Sequence, residues 1–157
     1  MINKPYVIGV SLLTFVLPVA SLCVEHFIKG TDISLVALGK WFVFYAVGVR
    51  LFVAGIRQTF KPAFTAKVIF HMEGTESYPV IRELGFANLC FGLIGLVSLF
   101  LPGWRVVSVF GSGIYYGLAG VQHALQKEAG VNERFALYTD WIIFGVLAAL
   151  FVLIVTA

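Results

Sequence analysis

Charge is scarce in this chain: Asp, Glu, Lys and Arg make up 12% of its 157 residues, about half the share of a soluble domain. That deficit excludes an ordinary water-soluble surface. Cysteine is almost absent, with Cys23 and Cys90 alone. There is no Cys-x-x-Cys and no His/Cys cluster at zinc spacing, which argues against a disulfide framework, a dithiol redox centre and a structural metal. No tract of basic residues interleaves with aromatics, so the formal charge of +3 does not describe a nucleic-acid groove. A nucleophile elbow and a strong haem-ligand pattern are missing too.

What is abundant is oil. Hydrophobic residues are 60% of the chain, and they lie in runs of the length needed to cross a hydrocarbon core, roughly 20 helical residues each. Backbone hydrogen bonds must then close within each segment. The expected fold is all-α: an integral membrane bundle, one domain over residues 1–157, with spans over about 6–24, 33–56, 80–101, 106–125 and 138–156. The alternative is four spans plus an interfacial helix. Pro18 is expected to kink the first span, and Thr31 and Asp32 are N-cap types ahead of the second. Lys4 before an apolar stretch resembles a signal-peptide start, but the stretch is long and Leu22 precedes Cys23 where a lipoprotein signal wants a small residue; a retained helix is expected. Between Arg57 and Pro79 the composition turns polar. Residues 62–72 read as an amphipathic helix in the interface plane or as an ordered loop.

Basic residues in the connections set the orientation, because positive loops stay cytoplasmic. With the amino terminus inside, Lys4, Arg57, Lys61, Lys67, Arg82, Lys127 and Arg134 are cytoplasmic and only Lys29 and Arg105 are outside, seven against two. The chain is therefore expected in the cell inner membrane, amino terminus in the cytoplasm and carboxy terminus outside.

Ionisable groups within spans are costly and mark interiors, cavities or snorkelling side chains. Counting along the helices at 1.5 Å per residue, Arg50 sits about 9 Å from the cytoplasmic end of its span, Glu83 about 4.5 Å in, and His123 and Asp140 about 3 Å in. Four helices thus put polar groups into one slab. One reading pairs Arg50 with Glu83 inside the bundle, surrounded by Asn88, Gln122, His123 and Asp140, in a pocket for an anionic or amphipathic molecule or for a proton relay. The plainer reading sends Arg50 and Arg57 to lipid phosphates, leaves Glu83 and Asp140 as partners of helix N-termini, and makes His123 a C-terminal dipole partner. Lys40 is expected to snorkel outward. Gly85, Asn88, Gly92 and Gly95 share one face of the third span, and Gly113, Gly117, Gly120 and Ala124 one face of the fourth; small residues at this spacing read as helix contacts, with Asn88 as an interhelical hydrogen-bonding group. Tyr116 and His123, seven apart, line up beside the second stripe. His71, Glu73 and Glu76 lack metal spacing, and no metal site is expected.

The stretches Arg82-Glu83-Leu84-Gly85-Phe86-Ala87-Asn88-Leu89 and Gly117-Leu118-Ala119-Gly120-Val121-Gln122-His123 resemble the signature of an uncharacterised family of small bacterial multi-pass membrane proteins, and more distantly the bundle resembles the DoxX-like proteins. The resemblance adds weight to Glu83, Asn88 and His123 and carries no activity or cofactor with it. Three functions remain open: a protein that binds a membrane lipid, a lipid-like or small amphipathic ligand, or a partner subunit; a membrane enzyme acting on a quinone or a lipid, with His123 or Glu83 as acid/base; and an oligomeric transporter or channel, the glycine faces permitting a homo-oligomer.

Overall fold

The computed structural model describes residues 2–126 and 130–156. Lys127, counted above among the cytoplasmic residues, lies outside them. The described residues form five long helices and one short one, with no strand among them. They are α1 (Lys4–Lys29), α2 (Leu35–Phe60), the short α3 (residues 62–69), α4 (Tyr78–Val97), α5 (Trp104–Leu125) and α6 (Val131–Thr156).

Four of these, α1, α2, α4 and α6, are long and apolar enough to cross a membrane. The fifth, α5, has the length at 22 residues, which is about 33 Å of helix. Its apolar density is lower because Ser108, Ser112, Tyr115, Tyr116, Gln122 and His123 interrupt it. Four of these six turn inward: Ser108, Ser112, Tyr116 and His123 are buried, Tyr115 is half-buried and Gln122 is exposed. The outside of the bundle is apolar instead, with Phe27, Val53, Val80, Phe110, Ile114 and Val152 exposed. Such contiguous exposed hydrophobic surface belongs against lipid rather than water.

Local chemistry sets the ends. Asn3 caps α1 by accepting from the Tyr6 N–H at 3.0 Å, and Gly30 closes it in the left-handed region (φ 65), continuing the helix past Glu25 and His26, where a stop was expected. For α2 the cap is Ser34, whose Oγ accepts from the Ala37 N–H at 3.1 Å; Thr31 and Asp32 lie too far ahead of the first turn. The expected kink at Pro18 takes the form of a π-helical stretch, Leu12–Val16. Proline has no N–H and its ring crowds the carbonyl of Thr14, four residues back, so the turn ahead of it widens. A second π-helical stretch, Val43–Val49, runs directly into Arg50. Helix α6 starts at Val131, seven residues before the expected 138, because Asn132 and Glu133 are buried in its first turn instead of lying in a loop.

Two tight helix pairs make up the body. Along α2 and α4 the backbones touch: a Cβ at Gly92 would sit 2.5 Å from the Phe52 backbone nitrogen, and one at Gly95 2.6 Å from that of Gly48. The expected stripe on α4 is thus a contact within the chain. On α5, Gly117 and Gly120 make room for rings, Phe144 and Trp141 of α6, whereas Ala124 is exposed. Between the pairs a core of Val43, Ala46, Val47, Val109, Ile143 and Leu147 surrounds Tyr116. Helix α1 packs along α2 and is tied to it where Glu25 takes Lys40 and the Trp41 Nε1–H (2.8 Å for the latter). Lys40 therefore finds a counter-ion on the neighbouring helix rather than snorkelling to the surface.

The polar stretch after α2 is helical over residues 62–69 and not a plain loop. Pro62–Phe64 makes one helical turn and Thr65–Ile69 a π turn, and Pro62, Thr65, Ala66 and Ile69 are buried against the end of the bundle.

Because the α2–α4 contact is backbone on backbone, Gly92→Val is expected to lower stability by about 1–3 kcal/mol through overpacking. Gly145→Ala, where an added Cβ meets nothing within 4 Å, is expected to be neutral or slightly stabilising. Unfolding of the two variants in mixed micelles with increasing dodecyl sulfate, followed by helical circular dichroism, checks the difference.

Candidate functional site

The polar groups gather at one end of the bundle. The start of α1, the end of α2, the start of α4, the end of α5 and the start of α6 all meet there: the Asn3 N–H donates to Asn132 Oδ1 at 2.8 Å, and the Tyr6 ring packs edge-on against Phe135 at 5.9 Å. Segment α3 folds over them.

Arg50 is the centre of the arrangement. Its side chain is only 10% exposed. Nη2 donates to Asp140 Oδ1 at 2.8 Å and to Thr139 Oγ1 at 3.1 Å, so α2 is joined to α6. The guanidinium also lies 5.3 Å from the centroid of the Tyr116 ring, a cation–π distance. Tyr116 in turn donates its hydroxyl to the Ala46 carbonyl at 2.8 Å. That carbonyl belongs to the π-helical stretch ahead of Arg50, where the regular i→i−4 ladder is interrupted and an acceptor is available to a neighbour.

Asp140 continues the chain of contacts. Its Oδ2 faces His123 Nε2 at 3.8 Å, and His123 Nδ1 faces Glu133 Oε1 at 3.2 Å. The imidazole thus lies between two carboxylates of α6, with the Phe70 ring stacked on it at 5.7 Å and 17°. Both carboxylates lie on one face: Glu133, Ala136, Asp140, Ile143, Leu147 and Leu150 follow at intervals of three and four and are all buried. A short distance away Asn88 Nδ2 donates to Gln58 Oε1 at 2.6 Å, the interhelical bond expected of Asn88.

These groups face a cavity of about 650 Å³, within the range of small-molecule sites. Arg50, Asn88, Tyr116, Gln122, His123 and Asp140 all line it, and so do Tyr6, Gln58, Thr65 and Tyr115. Apolar side chains from α1, α2 and α5 complete the wall. The lining residues that are exposed show where it opens: Val53 (52%) and Leu118 (66%), together with Pro5, Arg57 and Gln122. The opening thus runs from the polar end of the bundle, at Pro5, Arg57 and Gln122, onto the apolar flank at Val53 and Leu118. Arg57 stacks its guanidinium 3.7 Å over the Phe64 ring.

Six of the seven residues expected in a polar cluster thus stand around one cavity. Glu83 does not. It is exposed, and the partner of Arg50 is Asp140. The reason is rotational: Gly85, Asn88 and Gly92 are the face of α4 that is pressed onto α2, and Glu83, two residues before Gly85, is turned about 200° from it. The pairing of Arg50 with Glu83 is accordingly corrected to Arg50 with Asp140. His123 is a buried partner of two carboxylates and not a free helix-end dipole partner. Glu133, Gln58 and Thr139 were missed by sequence reasoning. For Glu133 a signal existed, since one heptad back from Asp140 on the same face is Glu133; the expected start of the last span at 138 concealed it. Among the described residues no group of three or more His, Cys, Asp or Glu side chains is placed to hold a metal ion.

The match of a family model to residues 7–157 covers nearly the whole chain. The protein belongs to DUF6790, a family of unknown function. No curated protein and no solved structure matches it. For this DUF6790 member the functional evidence is therefore the cavity and the residues that line it.

Removing one member of a buried ion pair leaves the other charge uncompensated, at a cost of about 3–5 kcal/mol, whereas replacing both by apolar groups is often near neutral. Arg50→Met and Asp140→Leu are each expected to destabilise by that order, and the double variant to recover most of the loss. A double-mutant cycle from dodecyl sulfate unfolding measures it; additive losses would show that the two side chains do not interact.

Proposed function

We propose that this DUF6790 protein is a five-span protein of the cell inner membrane that binds a small amphipathic or lipid-like molecule, taken from the surrounding bilayer, with its polar end at Arg50, Asn88, His123 and Asp140. The observation that carries the reading is the cavity itself: a polar floor, apolar walls and an opening that extends to Val53 and Leu118 on the apolar flank of the bundle. A ligand that reached this floor from water would have little use for an apolar entrance. An amphiphile already in the lipid needs only to slide sideways, head toward the floor.

The orientation puts the polar end of the bundle at the cytoplasmic leaflet, amino terminus inside and carboxy terminus outside. Supporting it are the basic residues Lys4, Arg57, Lys61, Lys67 and Arg82, all at or near that end, against Lys29 and Arg105 at the other, in accord with positive-inside topology. Counting α5 as a span is supported by its length and by its packing along α6: of the polar residues that dilute it, Ser108, Ser112, Tyr116 and His123 are buried, and the exposed Gln122 lies near its polar end. A second reading, a membrane enzyme acting on a quinone or a lipid, draws on the placement of His123 between Glu133 and Asp140 at the cavity, where an imidazole can pass a proton between a ligand and a carboxylate.

Two measurements test the reading. In a background lacking Cys23 and Cys90, Thr31→Cys is expected to react with a membrane-impermeant maleimide from outside the cell, and Glu73→Cys only after permeabilisation; the reverse pattern inverts the topology. Extracted gently and examined by native mass spectrometry, the chain is expected to carry one small amphiphile, and Ala54→Leu/Ala119→Leu, which fills the cavity, to lose it while unfolding at the same temperature. A wild-type chain without an adduct, in several lipid compositions, removes the binding reading; a retained molecule that is chemically converted on incubation selects the enzyme.

A further inference from the structure

Resting on that binding reading, the charges around the cavity floor narrow the class of head that fits. Arg50 is the buried cation, and it already has a counter-ion in Asp140 at 2.8 Å and a further acceptor in Thr139. Behind them Glu133 contacts His123, which also faces Asp140. With His123 neutral the lining pair Arg50–Asp140 cancels and Glu133, outside the lining, adds a negative charge behind it; with His123 charged, Glu133 balances the imidazolium. In neither state does the floor offer an excess of positive charge. Arg57 also lines the cavity, but it is exposed at the mouth with its guanidinium stacked over Phe64, so its charge stands at the entrance and not at the floor. A carboxylate or phosphate moved inward would meet Asp140 beside the guanidinium it sought, and like charges at such distance in a poorly solvated interior repel strongly. A cationic head would meet Arg50.

The floor nevertheless leaves hydrogen-bonding capacity unused. Arg50 Nη1 is buried without an acceptor, and Asn88 Oδ1 is buried without a donor. Both residues line the cavity, and a buried polar atom without a partner costs roughly 1–3 kcal/mol. A ligand that accepts one hydrogen bond and donates another satisfies both. A hydroxyl does so by itself, and a hydroxyl beside an ester or ketone carbonyl does so with two atoms. An ionised carboxylate accepts only.

We infer that the cavity selects amphiphiles with an uncharged, hydroxyl- or carbonyl-bearing head and excludes those with an ionised head. The apolar walls take the chain, the leftover donor and acceptor take the head, and the Arg50–Asp140 pair excludes ions of either sign by being already neutral.

Three probes with the same oleyl chain separate head from tail: monoolein, oleate and oleylamine. Purified protein freed of its own adduct by detergent washing is incubated with an equimolar mixture, and occupancy is read by native mass spectrometry. Monoolein is expected to occupy the wild-type protein at least tenfold more than either ion, and Ala54→Leu/Ala119→Leu to lose it. Asp140→Asn, which leaves Arg50 without its counter-ion, is expected to raise oleate relative to monoolein by tenfold or more. Glu133→Gln, two contacts further from Arg50, is expected to move the ratio the same way by about threefold and serves if Asp140→Asn does not fold. Oleate equal to or above monoolein in the wild type overturns the head-group inference while leaving a binding cavity. Equal adducts of all three that persist in the cavity-filled variant mean surface adsorption only and overturn it as well. No adduct with any probe removes the binding reading beneath it.

Discussion

A guanidinium inside an apolar bundle is tolerable only with a carboxylate beside it, and the position of that carboxylate organises this end of the protein. Asp140 holds Arg50 across the gap between α2 and α6. Through His123 the same carboxylate engages α5, and through Tyr116 the guanidinium is backed by an aromatic face whose hydroxyl is spent on the α2 backbone. The α5–α6 pair is thereby joined to α2 at this end of the bundle. The space they leave is the cavity, and it persists because closing it would press an already paired charge against apolar side chains.

The opposite device operates between α2 and α4. There no charge is involved, and glycines let two backbones touch at Gly48, Gly92 and Gly95. Helix association in lipid lacks a hydrophobic drive and rests on such close packing. With both glycine faces used inside the chain, α4 against α2 and α5 against the rings of α6, the small-residue stripes do not of themselves offer a surface for a second copy. The two devices divide the labour: glycines bring α2 and α4 into backbone contact, and the ion pair joins α2 to α6 beside the cavity.

Segment α3 links the two. It begins after Lys61, turns back over the bundle end, buries Thr65, Ala66 and Ile69, and places Phe70 on His123. A polar stretch with regularly placed apolar residues can lie on a membrane or on a protein; here the nearest apolar surface is the open end of its own bundle. Its π turn lets several apolar side chains face downward in a short length of chain.

Apolar run length, which is local, let the sequence by itself determine an all-helical membrane fold, its approximate helix positions, and the two stripes of small residues as packing faces. Local spacing also identified six of the residues around the cavity, because an ionisable or amide group within an apolar run is conspicuous wherever it ends up pointing. Which of them face one another is a property of helix rotation and neighbour order, and those arise only when the helices pack. Glu83 and Asp140 look alike along the chain, each a carboxylate just inside a span. Tertiary structure separated them: α4 turns its glycines to α2 and Glu83 away, while α6 turns the Glu133–Asp140 face inward to Arg50 and His123, since one rotation buries backbone contact and the other pairs a buried charge.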